Sequence, residues 1–167
     1  MVAPWTSRAD DVRGRLEALR PSGGTSIYDA IMAALPVFEQ RSRQRAAIVL
    51  ISDGADTASD ANVRDVRSAL LRSDAFVYAI AIDPPADTRP INARVNPYAL
   101  REITDDSGGR TEVVHDSADL GAATARIAES MPRDRFGTAA ALVIAVVGIG
   151  VVLLSGGDGR RDHVGEY

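Results

Sequence analysis

The chain has 167 residues, 46% of them hydrophobic and 25% charged, so it can bury a core and does not have a disordered composition. Its net charge of −4, its scattered arginines and the lack of lysine argue against a nucleic-acid-binding surface. Cysteine is also absent, which excludes disulfides, thiolate metal sites and cysteine nucleophiles and leaves the cellular compartment open.

The first part of the chain predicts two helices that are separated by a glycine-rich loop. Residues 10–20 carry apolar side chains at helical spacing, and a second helical pattern follows the Ser-Gly-Gly-Thr-Ser sequence of residues 22–26. Ser26 and Asp29 have the spacing of a capping box in which Asp replaces the usual Glu. Pro36 lies inside the second pattern and predicts a kink or an early end of that helix.

Residues 46–57 form the stretch around which the other elements are expected to be arranged. The apolar residues 46–51 carry no charge and are typical of a strand that is covered on both faces of a parallel sheet. Asp53 follows directly after the strand, where open α/β sheets form their ligand sites. Asp-Gly is also a common turn dipeptide, so a purely structural role for Asp53 is the alternative.

Beyond this strand, helical and strand patterns alternate. Asp60 or Asn62 is expected to cap the next helix, and Asn96-Pro97 begins another that Gly108-Gly109 ends. The predicted helices span about 62–72, 97–107 and 117–130, and the predicted strands span 75–82 and 110–114. This order predicts a Rossmann-like α/β fold, with a parallel sheet flanked by helices on both faces and strand 110–114 at its edge.

The composition changes after Pro132. Residues 136–154 contain no charged residue, and as a helix they would be about 28 Å long, enough to cross a bilayer. Arginines flank the segment on both sides, which fits anchoring at the membrane interface but gives no orientation. We therefore expect a partial α/β domain at 1–131, a linker at 132–135, a single transmembrane helix at 136–154 and a polar tail at 155–167. A buried core helix is the alternative for 136–154.

Two motifs together resemble the von Willebrand factor A domain family. They are Gly-Gly-Thr-Ser-Ile-Tyr-Asp-Ala-Ile at 23–31 and Ile-Val-Leu-Ile-Ser-Asp-Gly at 48–54. The resemblance implies a metal-ion-dependent adhesion site, a divalent-metal site at the carboxyl edge of the sheet, with Thr25 and Asp53 as metal ligands. It also implies a Mg²⁺ ion, or Mn²⁺ or Ca²⁺, and a partner protein whose acidic side chain completes the coordination. Hydroxyl and carboxylate oxygens are the ligands that such hard cations prefer.

The chain departs from that family in one respect. The Asp-x-Ser-x-Ser segment that supplies the other metal ligands does not occur, and the opening strand that carries it is missing. Either the chain is an N-terminally truncated piece of a longer protein, which we favour, or it is a degenerate domain that has lost metal binding. In both cases the metal site is incomplete and one edge of strand 46–52 should be exposed. A truncated chain should still bind the metal, but weakly.

Enzymatic functions find less support in the sequence. A phosphoacceptor receiver domain needs a lysine, and a nucleotide-binding enzyme needs a phosphate-binding loop that Ser-Gly-Gly-Thr does not provide. His115 and His163 are the two histidines, and neither lies near a plausible nucleophile in the sequence, so both are expected at the surface. The sequence therefore favours a non-enzymatic, membrane-anchored protein-interaction domain, with a Rossmann-like nucleotide-binding enzyme as the weaker alternative.

Overall fold

A computed structural model describes residues 8–18, 24–39, 46–52, 55–83, 97–131, 141–147 and 151–156. The elements in these ranges are α1 (Ala9–Glu17), α2 (Ile27–Glu39), β1 (Ala46–Ser52), α3 (Val63–Leu70), β2 (Ala75–Ile82), α4 (Pro97–Ser107), β3 (Arg110–Val114), α5 (Leu120–Ser130), β4 (Ala141–Val147) and β5 (Val151–Gly156). A short 3₁₀ turn, Ser117–Asp119, precedes α5.

The strands form one sheet in the order β3-β2-β1-β4-β5. β1 pairs with β2 in parallel along its whole length, and β2 pairs with β3 in parallel. The predicted parallel arrangement of these three strands is therefore confirmed, as is the more central place of β1 relative to β3. Their carboxyl ends lie at one edge of the sheet, where parallel strands commonly present ligand sites.

Helices cover both faces of the sheet, as predicted. Side chains alternate along β1, so Ile48 and Leu50 pack in one buried cluster with α2, α3 and α4. Ala47 and Val49 lie in a second cluster, with Ile127 of α5. Because β1 and β2 are buried on both faces, their uninterrupted apolar sequences are explained by packing alone.

Two helix ends can be compared with their predictions. Asn62 caps α3: its side chain accepts hydrogen bonds from the amides of Arg64 and Asp65. The Asn62 amide in turn donates to the Asp65 side chain, which completes a capping box. α2 continues through Pro36 to Glu39, so the proline does not end the helix where an early end was considered. Proline removes one hydrogen bond in the helix interior, and the buried apolar face of α2 offsets that loss.

The apolar segment at 136–154 differs from its prediction. Its described residues form two strands instead of a single helix. β4 pairs in parallel with β1, and β5 pairs with β4 in antiparallel orientation. Valine and isoleucine dominate β4, and β-branched residues favour strands. The second edge of β1 is therefore covered by β4, and the expectation that this edge is exposed is wrong.

The predicted transmembrane helix has no counterpart in the part of the chain that the structure describes. No helix there is both long enough and apolar enough to cross a membrane. The linker at 132–135, part of the segment at 136–154, and nearly all of the tail at 155–167 lie outside the described residues.

Candidate functional site

Thr25 lies in the segment 24–26 that leads into α2, beside the loop that follows β1. Its backbone N–H donates to the hydroxyl of Thr57 at 3.0 Å. Its carbonyl oxygen accepts from the backbone amides of Thr57 at 2.8 Å and Ala58 at 3.1 Å. These three bonds use only the backbone of Thr25, which leaves its hydroxyl outside them.

Gly24 explains why the two segments can approach so closely. A Cβ atom at this position would lie 2.7 Å from the Cβ of Ala58 and 3.0 Å from the hydroxyl oxygen of Thr57. Any larger residue would push the Thr25 backbone away from the loop. The second glycine of the Gly-Gly-Thr motif is therefore required by this contact.

Asp56 binds the first turn of α2. Its Oδ2 atom accepts hydrogen bonds from the backbone amides of Ile27 at 2.7 Å and Tyr28 at 3.0 Å. The same oxygen accepts from the hydroxyl of Ser59 at 2.6 Å, and Oδ1 accepts from the Ser59 amide at 3.2 Å. Asp56 thus acts as a cap for a helix that lies 29 positions earlier in the sequence.

Asp29 makes the reciprocal contact. Its two carboxylate oxygens accept from the backbone amides of Asp60 at 3.0 Å and Ala61 at 2.9 Å, and its own amide donates to the hydroxyl of Ser59 at 3.1 Å. The predicted capping box between Ser26 and Asp29 therefore does not describe the role of Asp29. Its carboxylate is used instead to hold the loop before α3.

The carboxylates also affect Tyr28, which is partly buried in the first turn of α2. Burial raises the pKa of the Tyr28 phenol above its ordinary value of 10.0, and the negative charges of Asp56 and Glu102 raise it further. All three causes disfavour the phenolate. The Tyr28 phenol therefore keeps its proton to a higher pH than a solvated tyrosine does.

Asp53, the other predicted metal ligand, lies outside the described residues, as does Gly54. β1 is described up to Ser52, and the loop resumes at Ala55, the residue before Asp56. The structure thus places Thr25 against Thr57 and Ala58, which follow Asp53 in the sequence.

The oxygen donors fit a hard divalent cation in kind but not in number. A hydroxyl at Thr25 and a carboxylate at Asp53 are suitable ligands for Mg²⁺, which takes six oxygen ligands including water. The described residues contain no group of three or more His, Asp or Glu side chains that could hold a metal ion. Asp29 and Asp56, the nearest described carboxylates in sequence to these two positions, are both engaged with backbone amides.

Other chemically suggestive residues lie away from Thr25. The ring of His115 is exposed, as predicted, and its Nδ1 lies 2.9 Å from the carbonyl oxygen of Asp83. A cavity of about 390 Å³ is lined by Asp106 of α4 and by Phe76 and other residues at the amino end of β2. That end belongs to the opposite edge of the sheet, so the cavity is not part of the candidate site.

Sequence reasoning missed the role of Asp56, which is none of the caps or metal ligands that the sequence predicts. The signal that could have revealed it is the composition of residues 55–62, Ala-Asp-Thr-Ala-Ser-Asp-Ala-Asn, which is rich in side chains that accept hydrogen bonds from backbone amides. Only the fold shows which amides these are.

Comparison with known proteins gives one family match. The model of the von Willebrand factor type A domain matches residues 1–55. This range contains Thr25, Asp53 and both motifs that carry the resemblance. This match supports a domain of the von Willebrand A type. No curated protein and no solved structure matches the chain.

Proposed function

We propose that the chain is a non-enzymatic protein-interaction domain of the von Willebrand A type, in which Thr25 and Asp53 contribute to a divalent-metal site. The observation that carries the proposal is the contact between Thr25 and the loop after β1, at the carboxyl edge of a parallel sheet. The family match over residues 1–55 supports the same assignment. A bound metal would supply a positive centre with an open position for a carboxylate of the partner protein.

The proposal includes weak metal affinity. Two oxygen-bearing side chains form an incomplete set, and the affinity of hard cations depends on ligand number and charge. We expect the chain to bind Mg²⁺ or Mn²⁺ with a dissociation constant of about 1 mM or weaker, and a longer protein that supplies the Asp-x-Ser-x-Ser segment to bind more tightly. A degenerate domain without metal binding is the second candidate, and the missing segment is the observation that favours it.

Titration with Mn²⁺, followed by the paramagnetic resonance of the free ion, tests the metal assignment. Asp53→Ala removes the charged ligand and should abolish the binding, whereas Thr25→Ala removes a neutral ligand and should weaken it. Asp83→Ala, at the end of the neighbouring strand β2, is the control and should leave the affinity unchanged. Metal binding that Asp53→Ala does not alter would refute the assignment.

The partner protein requires a separate test. If the metal mediates the contact, EDTA should release a partner that binds in the presence of Mg²⁺, and Asp53→Ala should prevent its capture. A receiver domain or a nucleotide-binding enzyme predicts the same capture with and without EDTA.

Membrane attachment through residues 136–154 is the remaining part of the proposal. The uncharged sequence and the flanking arginines support it, while β4 and β5 place part of the same segment in the sheet. The two placements are mutually exclusive, so carbonate extraction of membranes decides between them. Retention of the unmodified chain in the membrane fraction, together with a soluble variant lacking 136–154, would support the anchor. Recovery of the unmodified chain in the soluble fraction would refute it.

A further inference from the structure

We infer that Asp56 is the positioning residue for Thr25 in the candidate metal site: its carboxylate fixes the segment that carries Thr25 against residues 56–59, which follow β1. The inference rests on the proposed function for its metal site and goes beyond the two ligands named there. It assigns Asp56 no direct contact with the metal.

Asp56 forms hydrogen bonds to two separate segments of the chain. One oxygen, Oδ2, accepts from the amides of Ile27 and Tyr28, which directly follow the segment of Thr25. The other oxygen, Oδ1, accepts from the amide of Ser59 in its own loop. The side chain therefore joins two segments that are distant in the sequence, and both carboxylate oxygens are used.

The position of Thr25 depends on this connection. The next residue after Asp56, Thr57, binds both the amide and the carbonyl oxygen of Thr25, so the Thr25 backbone is held on one side by Thr57 and through α2 by Asp56. The close packing of Gly24 on Ala58 leaves little room for the two segments to slide. A ligand oxygen on a side chain is oriented by the backbone that carries it, and groups that orient metal ligands commonly affect affinity without touching the metal.

The substitution Asp56→Asn is the sharpest test because it preserves size while it removes one acceptor. An amide nitrogen cannot accept a hydrogen bond, so Asn can satisfy the amides of α2 or the amide of Ser59, but not both. Asp65→Asn is the matched control. This substitution also removes a carboxylate that takes part in capping a helix, since Asp65 Oδ2 accepts from the amide of Asn62 at 3.2 Å. Asp65 belongs to α3, however, and does not contact the segment of Thr25.

Two measurements on the full chain, made under conditions in which all variants are folded, give independent results. Amide hydrogen exchange at Thr57 and Ala58 reports the bonds to Thr25, and it should become faster in Asp56→Asn and stay unchanged in Asp65→Asn. The Mn²⁺ affinity should fall about tenfold in Asp56→Asn, the lower end of the effect of groups that orient metal ligands, and stay unchanged in Asp65→Asn.

The outcomes separate this inference from the function on which it rests. Unchanged exchange at Thr57 and Ala58 in Asp56→Asn would overturn the inference, as would an equal loss of Mn²⁺ affinity in Asp65→Asn. Failure of the proposed function would appear instead as Mn²⁺ binding that is absent in the unmodified chain or insensitive to Asp53→Ala. In that case, faster amide exchange at Thr57 and Ala58 in Asp56→Asn would still show that Asp56 holds the two segments together. The role of Asp56 at a metal site would be overturned.

Discussion

Gly109 approaches the backbone of Val77 so closely that a Cβ atom at position 109 would lie 1.8 Å from the Val77 carbonyl oxygen. The contact brings the turn between α4 and β3 against β2, just before β3 begins to pair with that strand. The amide of Gly109 also closes the end of α4 by donating to the carbonyl oxygen of Thr104 at 2.8 Å. A glycine is therefore required here for packing.

Gly109→Ala should destabilise the protein by about 3 kcal/mol, the upper end of the cost of overpacking, because backbone atoms rather than a flexible side chain oppose the new methyl group. Chemical denaturation measures the effect. Gly14→Ala is the control, since a Cβ atom there meets nothing within 4 Å. Alanine favours the helix α1 over glycine, so this substitution should raise the free energy of unfolding of the protein by up to about 1 kcal/mol. Equal effects at the two positions would contradict the close contact.

Arg126 and Glu112 provide a second test, because they join α5 to β3. The Nε atom of Arg126 donates to Glu112 Oε2 at 2.8 Å, and the Glu112 side chain is only 11% exposed. Since the Arg126 side chain is itself 45% exposed, screening by solvent limits the expected loss in Arg126→Gln to about 1 kcal/mol.

Arg110→Gln is the matched control for that measurement. Arg110 binds the other oxygen of Glu112 at 2.7 Å, but both residues belong to β3, so their contact joins no separate elements. Arg110→Gln should lower the free energy of unfolding by less than Arg126→Gln does, and the difference between the two variants should become smaller at high salt. A larger effect of Arg110→Gln would show that α5 is not held to the sheet by this ion pair.

Tyr28 makes the stability of the fold depend on pH in the alkaline range. Its pKa is raised by burial first and then by Asp56 and Glu102, so the folded protein holds this proton more tightly than the unfolded chain does. The resulting stabilisation is fully present below the unfolded pKa of about 10 and is lost as the pH rises through the higher folded pKa.

Unfolding measured as a function of pH should therefore show a smaller alkaline loss of stability in Tyr28→Phe than in the unmodified protein. Asp56→Asn removes one of the charges and should lower the Tyr28 pKa while burial continues to raise it, a change visible in the tyrosinate absorbance. An alkaline profile that is identical in Tyr28→Phe would refute the shift.

The pairing of β4 with β1 can be tested by proline substitution. Ile144 lies in the middle of β4, between β1 and β5, and proline there removes an amide donor from an interior strand. Ile144→Pro should lower the free energy of unfolding by about 1 to 3 kcal/mol through the unsatisfied acceptor. Val151→Pro, at the first residue of the edge strand β5, should be tolerated better. Similar effects at both positions would contradict the interior place of β4.

The sequence predicts β1, β2 and β3 well because each combines an apolar pattern with a clear start and end. β1 and β2 are uncharged where both faces are buried, and Gly109 directly precedes β3. The segment at 136–154 predicts one membrane helix because it is long and carries no charge. A membrane and a buried sheet select similar apolar residues, so these features do not distinguish the two. Its many valines, together with Gly148 and Gly150 between the two apolar runs, are the signals that favour two strands.

At the candidate site, local patterns predicted the loop of Thr25 and the end of the strand before Asp53. They did not predict the partners of Asp29 and Asp56, because each carboxylate binds amides that lie far away in the sequence. Short-range capping rules pair Asp29 with Ser26, whereas the fold offers amides of the loop 55–61 at better positions.

The place of β4 beside β1 has a consequence for synthesis on the ribosome. β1 ends at Ser52, whereas β4, which covers its second edge, begins only at Ala141, so β1 leaves the ribosome before this neighbour is made. Pairings between distant parts of a chain form slowly, and an apolar strand with an open edge can associate with other chains in the meantime. The nascent protein therefore passes through a stage in which β1 and β2 are present and one edge of β1 is still unpaired, and at that stage this strand is most exposed to association with other chains.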